Sequence, residues 1–335
     1  MLSSCRPAET QPLNRKNWAN VIAYILNIFF TYGVGTAGLI GTPGNAELSD
    51  KYQTIVTPKA DAFLIWIFIF MFQLIFTVAQ LLPKFRSTPM VQDGVSYWYC
   101  LVAAMQIGWT FSFTYEIIPL SLAFMLALYA SLMTLLYSQY QAKSDNTLWE
   151  FWLTRFPFSL HGGWITAASA LNVNVQLVAS SAPSDIQLAV SIVSLAVLHA
   201  ISVWVLFHIT RPNWTIACVL SWAFGYIYHE LGTPNDLILN TFGTETINGV
   251  RYAALAVGGM IIPLQVVIRL GLLVNPKFNP YRASSAAVDS DSATTQEENE
   301  KEALSPAAVD EGVVVTGASR GEDEDKKDNA ADDMA

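Results

Sequence analysis

The side chains that could do chemistry in this chain are polar groups set inside long apolar stretches: Asn27, Gln73, Gln106, Asn172, Asn174, Gln176, His199, Gln265 and Arg269. Polar groups are costly inside a bilayer and usually face the interior of a helix bundle. Trp164, Ala168 and Asn172 recur at a spacing of four residues, with Gln176 one turn further, so on a helix they share one face. One flat aromatic, one small residue and two amides suit a planar amphipathic ligand. The same set also serves as interhelical glue, because small and amide residues pack and hydrogen-bond between membrane helices. Gln106 and Trp109 present the same pair of readings. His199, among Ser191, Ser194 and Ser202, reads as a proton relay or as a hydrogen-bonded packing residue. His229-Glu230 has no second histidine at helical spacing, so metal binding or pH switching is only weakly signalled there. Glu116 falls in a tight turn and reads as solvent-exposed.

Other chemistry is not signalled. There is no Walker loop, Gly-rich dinucleotide fingerprint, His-rich desaturase pattern or Gly-x-Ser-x-Gly elbow, and the last apolar stretch has no lysine for a retinal Schiff base. Cys5, Cys100 and Cys218 lie far apart, which suggests neither a disulfide framework nor a metal cluster. No catalytic residue, no metal site and no obligatory cofactor is therefore expected.

The elements that must position these groups are membrane spans. Of 335 residues, 53% are hydrophobic and 13% charged, against about 25% charged in soluble domains. A span needs about 20 mostly apolar residues. Eight such stretches are read at about 18–40, 63–82, 95–115, 119–140, 157–180, 186–207, 214–231 and 252–274. The fold class is thus all-α, a polytopic transmembrane bundle of about eight helices. The break from Glu116 to Pro119 is short enough to force an antiparallel hairpin. The longer loops, Gly41 to Asp61 and Gly232 to Arg251, read as irregular connections. The first stretch is too long for a secretory h-region and reads as a retained helix.

Charge divides the chain into a short N-terminus (1–16), a bundle (17–282) and an acidic tail (283–335). From Ser284 onward there are 15 acids and 4 bases, leaving 12 acids and 14 bases before it. The tail is expected to be disordered, because it has too few apolar groups to offset the entropy of ordering. The near-neutral remainder has no footprint for nucleic acid. Short cytoplasmic loops are rich in Lys and Arg. Eight spans with the N-terminus inside put Arg6, Arg15, Lys16, Lys84, Arg86, Lys143, Arg155, Arg211, Lys277 and Arg282 on the cytoplasmic side, against Lys51, Lys59 and Arg251 outside. Both termini are then cytoplasmic, and the sequon Asn213-Trp214-Thr215 is silent.

Three groups of residues carry a family resemblance. Thr57-Pro58, Phe63 and Trp66 open the second span. Gln106, Trp109, Phe113, Tyr115 and Pro119-Leu120-Ser121 join the third and fourth. Arg155, Pro157-Phe158-Ser159, Gly163-Trp164-Ile165-Thr166 and Leu171-Asn172 form the fifth. Together they resemble the tryptophan-rich sensory proteins, longer relatives of the TspO/translocator protein (peripheral benzodiazepine receptor) family. The five-helix TspO pattern covers roughly 17–180 and the longer relatives about 17–275. Two departures stand out: Gln106 replaces an Asn, and Phe63 and Trp66 are three apart where TspO spaces them by four with an intervening Pro. The resemblance implies binding of a hydrophobic planar ligand, a tetrapyrrole or a sterol, in an aromatic pocket. Carried over residue by residue, that pocket is lined by Trp66, Gln106, Trp109, Trp164, Ala168 and Asn172. Membrane lipid and the hydrophobic ligand are the expected partners; a homodimer and a tail-binding protein stay open. The rival readings are a secondary transporter, with Gly258-Gly259 and Pro263 marking a flexible last span, a scaffold acting through its tail, and a porphyrin-degrading enzyme.

Overall fold

A computed structural model describes residues 12–207 and 212–274. The acidic tail, Cys5 and the bases Arg6, Arg211, Lys277 and Arg282 lie outside the described residues. All regular structure among those described is helical. The segments are α1 (Arg15–Gly33), α2 (Asn45–Lys51), α3 (Ile65–Ala79), α4 (Trp98–Thr114), α5 (Ile118–Gln141), the single turn α6 (Leu148–Glu150), α7 (Phe156–Ala179), α8 (Ser184–Phe207), α9 (Trp214–Glu230) and α10 (Asp236–Val274). A 3-10 turn, Ala60–Leu64, leads into α3, and π-helical turns, Met90–Val95 and Phe151–Arg155, precede α4 and α7.

The helix limits follow from local chemistry. Asn14 caps α1, accepting from the Lys16 and Asn17 amides, while the Asn17 side chain accepts from the Asn14 amide. Proline stands in the first turn of α5 and of α7, where its missing N–H costs nothing. The hairpin between α4 and α5 is as tight as expected, closed by Glu116 at φ 57°. Two spans differ from the sequence reading. The first helix stops at Gly33, ahead of Gly35 and the left-handed Gly38. The last begins at Asp236 and bends at Gly243 (φ 71°), so most of the expected Gly232–Arg251 loop is helix. The expected loop from Gly41 to Asp61 likewise holds α2 and the start of the 3-10 turn.

The helices form two groups that share α7. In the first, α1 packs on α4, α4 on α5, α5 on α7, α7 on α3 and α3 on α1, closing a ring of five. In the second, α8, α9 and α10 pack on one another, and α8 and α9 also lie against α7. Each group has its own apolar core, and Ala167 turns to the second core while Trp164, Ile165 and Val175 turn to the first. Fifteen of the 24 residues of α7 are buried. A helix wrapped by protein need not be apolar towards lipid, which explains why the amides concentrate there. On length and composition alone, Ala60–Ala79, Ile118–Gln141, Ser184–Phe207 and Asp236–Ile268 suffice to cross a membrane. The 17-residue α4 and α9, the two-base start of α1 and the polar α7 do not meet that measure but pack along those that do. Close contact of α7 with α9 needs Gly163, where a Cβ would come 2.9 Å from Val219 and 3.2 Å from the Ile216 Cα.

The bases sort to two ends. Lys16 reaches the Gln92 carbonyl, the Asn17 amide reaches the Arg86 carbonyl, and Ser138, one turn from Lys143, reaches the Asp93 carbonyl, all at one end. Lys51, Lys59 and Arg251 lie at the other, with Lys59 bonded to the Tyr226 carbonyl and Arg251 to that of Tyr228.

Candidate functional site

The six residues singled out above fall in four local settings, with Gln106 between α1 and α4 and the others on α7 or against its side chains. Gln106 of α4 is fully buried in a closed triad with α1: its Oε1 accepts from Asn27 Nδ2 (3.3 Å), its Nε2 donates to Thr31 Oγ1 (3.4 Å), and Thr31 Oγ1 donates to Asn27 Oδ1 (3.2 Å). Trp109 donates its indole N–H to Asn172 Oδ1 (3.1 Å) and stacks on Phe113 at 5.3 Å and 12°. Asn172 also accepts from Ser121 of α5 (3.4 Å) and donates to the Ala168 carbonyl (2.9 Å). One amide therefore ties α4, α5 and α7 together. Gln176, the fourth member of that face, is half-buried, and its Oε1 has no protein partner.

Trp164 and Ala168 are brought together at a cavity. Its wall comes from Trp164, Ala168 and Leu171 of α7, Leu195 and Leu198 of α8, Ala223 and Ile227 of α9, and Val56 and Pro58 of the segment between α2 and α3. The volume open to water is about 20 Å³, enough for about one water molecule. Ser194, the polar residue on this wall, is already engaged with Asn174 Nδ2 (2.9 Å) and the Val190 carbonyl (2.8 Å). The cavity wall is thus apolar in effect. On its other side Trp164 meets Phe63 edge-to-face at 5.4 Å.

Trp66 stands apart from the cavity, half-buried, stacked on Phe70 and edge-on to His161 at 5.6 Å. The sequence reading singles out neither His161 nor Tyr99, which Gln73 links by hydrogen bonds to each. The signal was present, since His161 lies one turn before Trp164 on the face that continues through Ala168 and Asn172.

The segment over the cavity is fastened at its start by Lys51, Tyr52 and Gln53 and at its end by the Lys59 N–H, which donates to the Tyr226 carbonyl (3.2 Å). Glu116, in the hairpin between α4 and α5, accepts from Tyr52 Oη (2.6 Å) and pairs with Lys51. Gln53 Nε2 donates to Glu230 at the end of α9 (2.6 Å), and Leu48, Ile55 and Val56 are buried beneath. Hydrogen bonds from Lys51 and then Tyr52 hold the Glu116 carboxyl below the usual glutamate range, and the same contact with Glu116 raises Lys51. His229 has no acidic or histidine cluster around it; among the described residues no group of three or more His, Cys, Asp or Glu side chains comes together.

The sequence profile of the TSPO-like protein family matches residues 17–263. The chain belongs to that family. The match takes in the five-helix ring and the helices added to it, so this TSPO-like chain carries α8, α9 and most of α10 as part of the family pattern. No curated protein and no solved structure matches the chain.

Proposed function

We propose that this TSPO-like membrane protein is a receptor or carrier for a neutral hydrophobic ligand, of the sterol class rather than the tetrapyrrole class, held against α7. The observation that carries the reading is the apolar cavity at Trp164 and Ala168, against a five-helix ring without charge; the acids of α8 and α9, Asp185 and Glu230, stand at the helix ends. From Asn17 to the end of α1, and throughout α3, α4, α5 and α7, there is no Asp, Glu, Lys or Arg. A porphyrin dicarboxylate held there would have to bring its acids to Lys51 or Lys59 at the rim, because a charge buried without a partner is very costly. A sterol has a single polar group. The cavity is small, so a ligand of that size enters only when the wall formed by Val56 and Pro58 moves away from α7. The fastening of Lys51 and Tyr52 to Glu116 then controls entry. The arrangement of bases fits a cytoplasmic N-terminal end and an outward rim at Lys51.

Tryptophan fluorescence of the detergent-purified protein tests this. Cholesterol is expected to change it saturably at low micromolar concentration. Trp164→Phe and Asn172→Ala each weaken the titration, and protoporphyrin gives only a non-saturable decrease. A linear cholesterol response, identical in both variants, contradicts the reading, because it reports partition into the micelle.

A further inference from the structure

His161 is a buried titratable group that nothing above employs. It is 0% exposed. Its Nδ1 lies 3.0 Å from Gln73 Nε2 of α3, and Gln73 Oε1 lies 3.1 Å from Tyr99 Oη of α4. Gln73 and Tyr99 are also fully buried. Nε2 of His161 has no protein partner. Surrounded by helices without charged side chains, the ring is uncharged, so one nitrogen donates and the other accepts. Trp66, half-buried and edge-on to the ring, is the member of this group that reaches the bundle surface.

We propose that His161 Nε2 is the polar anchor for the single hydroxyl or carbonyl oxygen of the neutral hydrophobic ligand held against α7, one helical turn from Trp164 along the same face. This rests on the ligand-binding reading above and names the ligand's polar contact. The chain from Tyr99 through Gln73 to His161 can run in either direction. With Gln73 Oε1 accepting from Tyr99, Gln73 Nε2 donates to Nδ1 and the ring proton sits on Nε2, a donor for a carbonyl. With the amide rotated by half a turn, Nδ1–H donates to Gln73 Oε1, Gln73 Nε2 donates to Tyr99 Oη, and Nε2 offers its lone pair to a hydroxyl. The first arrangement gives the buried Tyr99 hydroxyl proton an acceptor and the second leaves it without one, so the first is favoured and puts the ring proton on Nε2. Each leaves one buried nitrogen to be satisfied by whatever enters, and leaving it unmet is unfavourable.

The test uses the full chain in lipid nanodiscs with ¹⁵N-labelled histidine, titrated with cholesterol, with cholest-4-en-3-one and with the deoxy hydrocarbon cholest-5-ene. The chain has 4 histidines, and His161→Phe identifies the signals of His161. The alcohol and the ketone are each expected to shift those signals, the ketone with the proton kept on Nε2 because it can only accept, and the hydrocarbon leaves them in place. His161→Phe lowers affinity for the alcohol roughly three- to tenfold, the worth of one neutral hydrogen bond, and leaves the hydrocarbon unaffected. Gln73→Leu keeps the ring but frees its Nδ1, and it too removes the preference for the alcohol. Saturable binding of alcohol and hydrocarbon with equal affinity and unmoved His161 signals overturns the anchor while leaving the ligand reading intact. Saturable binding of none of the three overturns both.

Discussion

At the scale of the residue, the amides of α7 act both as ties and as cavity neighbours. Asn172 holds Trp109 and Ser121 from two other helices, and Ala168 and Trp164, one and two turns away, line the cavity. The tie is thus visible at Asn172, and beside Trp164 and Ala168 lies a small cavity. The tie makes a measurable statement: Trp109→Phe and Asn172→Ala each destabilise the detergent-solubilised fold by about 1–2 kcal/mol, with a coupling of about 0.5–1.5 kcal/mol in the double variant. Thermal or denaturant unfolding of the four proteins measures it, and strictly additive effects would mean the hydrogen bond contributes nothing. The face itself was legible, because spacing fixes which residues of one helix lie together. Its partners were not, since Trp109 and Ser121 lie on α4 and α5, and only packing selects which of their groups meets Asn172. His161 went unnoticed for a similar reason: a lone histidine beside two glycines gains meaning only when Gln73 and Tyr99 are seen to reach it.

At the scale of the element, helix cores were easier to read than their ends. The stretches expected at 119–140 and 157–180 became α5 and α7 within one residue at each end. The first and last helices were misjudged because apolar content continues past Gly33 without helical geometry, and because Asp236 to Phe242 is helical without being apolar enough to count as a span. The segment between α1 and α3 was read as irregular, yet its fastening to Glu116 gives it a pH dependence. Glu116 is held below its ordinary range by Lys51 and Tyr52. Its contribution is therefore present above the unfolded glutamate value and is lost as pH falls through the lowered folded value. Lys51 is raised by the same pairing, so its contribution is present below the unfolded lysine value and is lost as pH rises through the raised folded one. Both side chains are partly exposed, and salt weakens their attraction. Limited proteolysis between Asn45 and Lys59 is expected to be slow across the neutral range and to quicken at both pH extremes. In Glu116→Gln the acid limb disappears; an acid limb that persists in that variant assigns it to another group.

At the scale of the whole molecule, a ring of five helices carries α8 and α9 on α7 and α10 on those two, and α7 contributes to both cores. Composition alone placed the chain in a membrane, and the amide-rich fifth span hinted that protein surrounds it. The closure of the ring through α1 and α3 could not be read, because a helix's own sequence does not name its neighbours. The expected orientation follows from the two ends of the bundle. With Cys5, Cys100 and Cys218 replaced, an impermeant maleimide added to sealed membrane vesicles of known sidedness should label Asp145→Cys from the cytoplasmic face and Glu47→Cys from the opposite one; the reverse pattern inverts the topology. The central claim is that a neutral hydrophobic ligand lies against α7. Photo-crosslinking with a diazirine-bearing cholesterol, followed by peptide mapping, tests it most directly. Label is expected on Phe156–Ala179 and on the segment holding Val56 and Pro58, removed by excess unlabelled cholesterol. Label spread over the lipid-facing residues of α3 and α5, such as Ile67, Phe68 and Leu126, and undiminished by competitor, would contradict it.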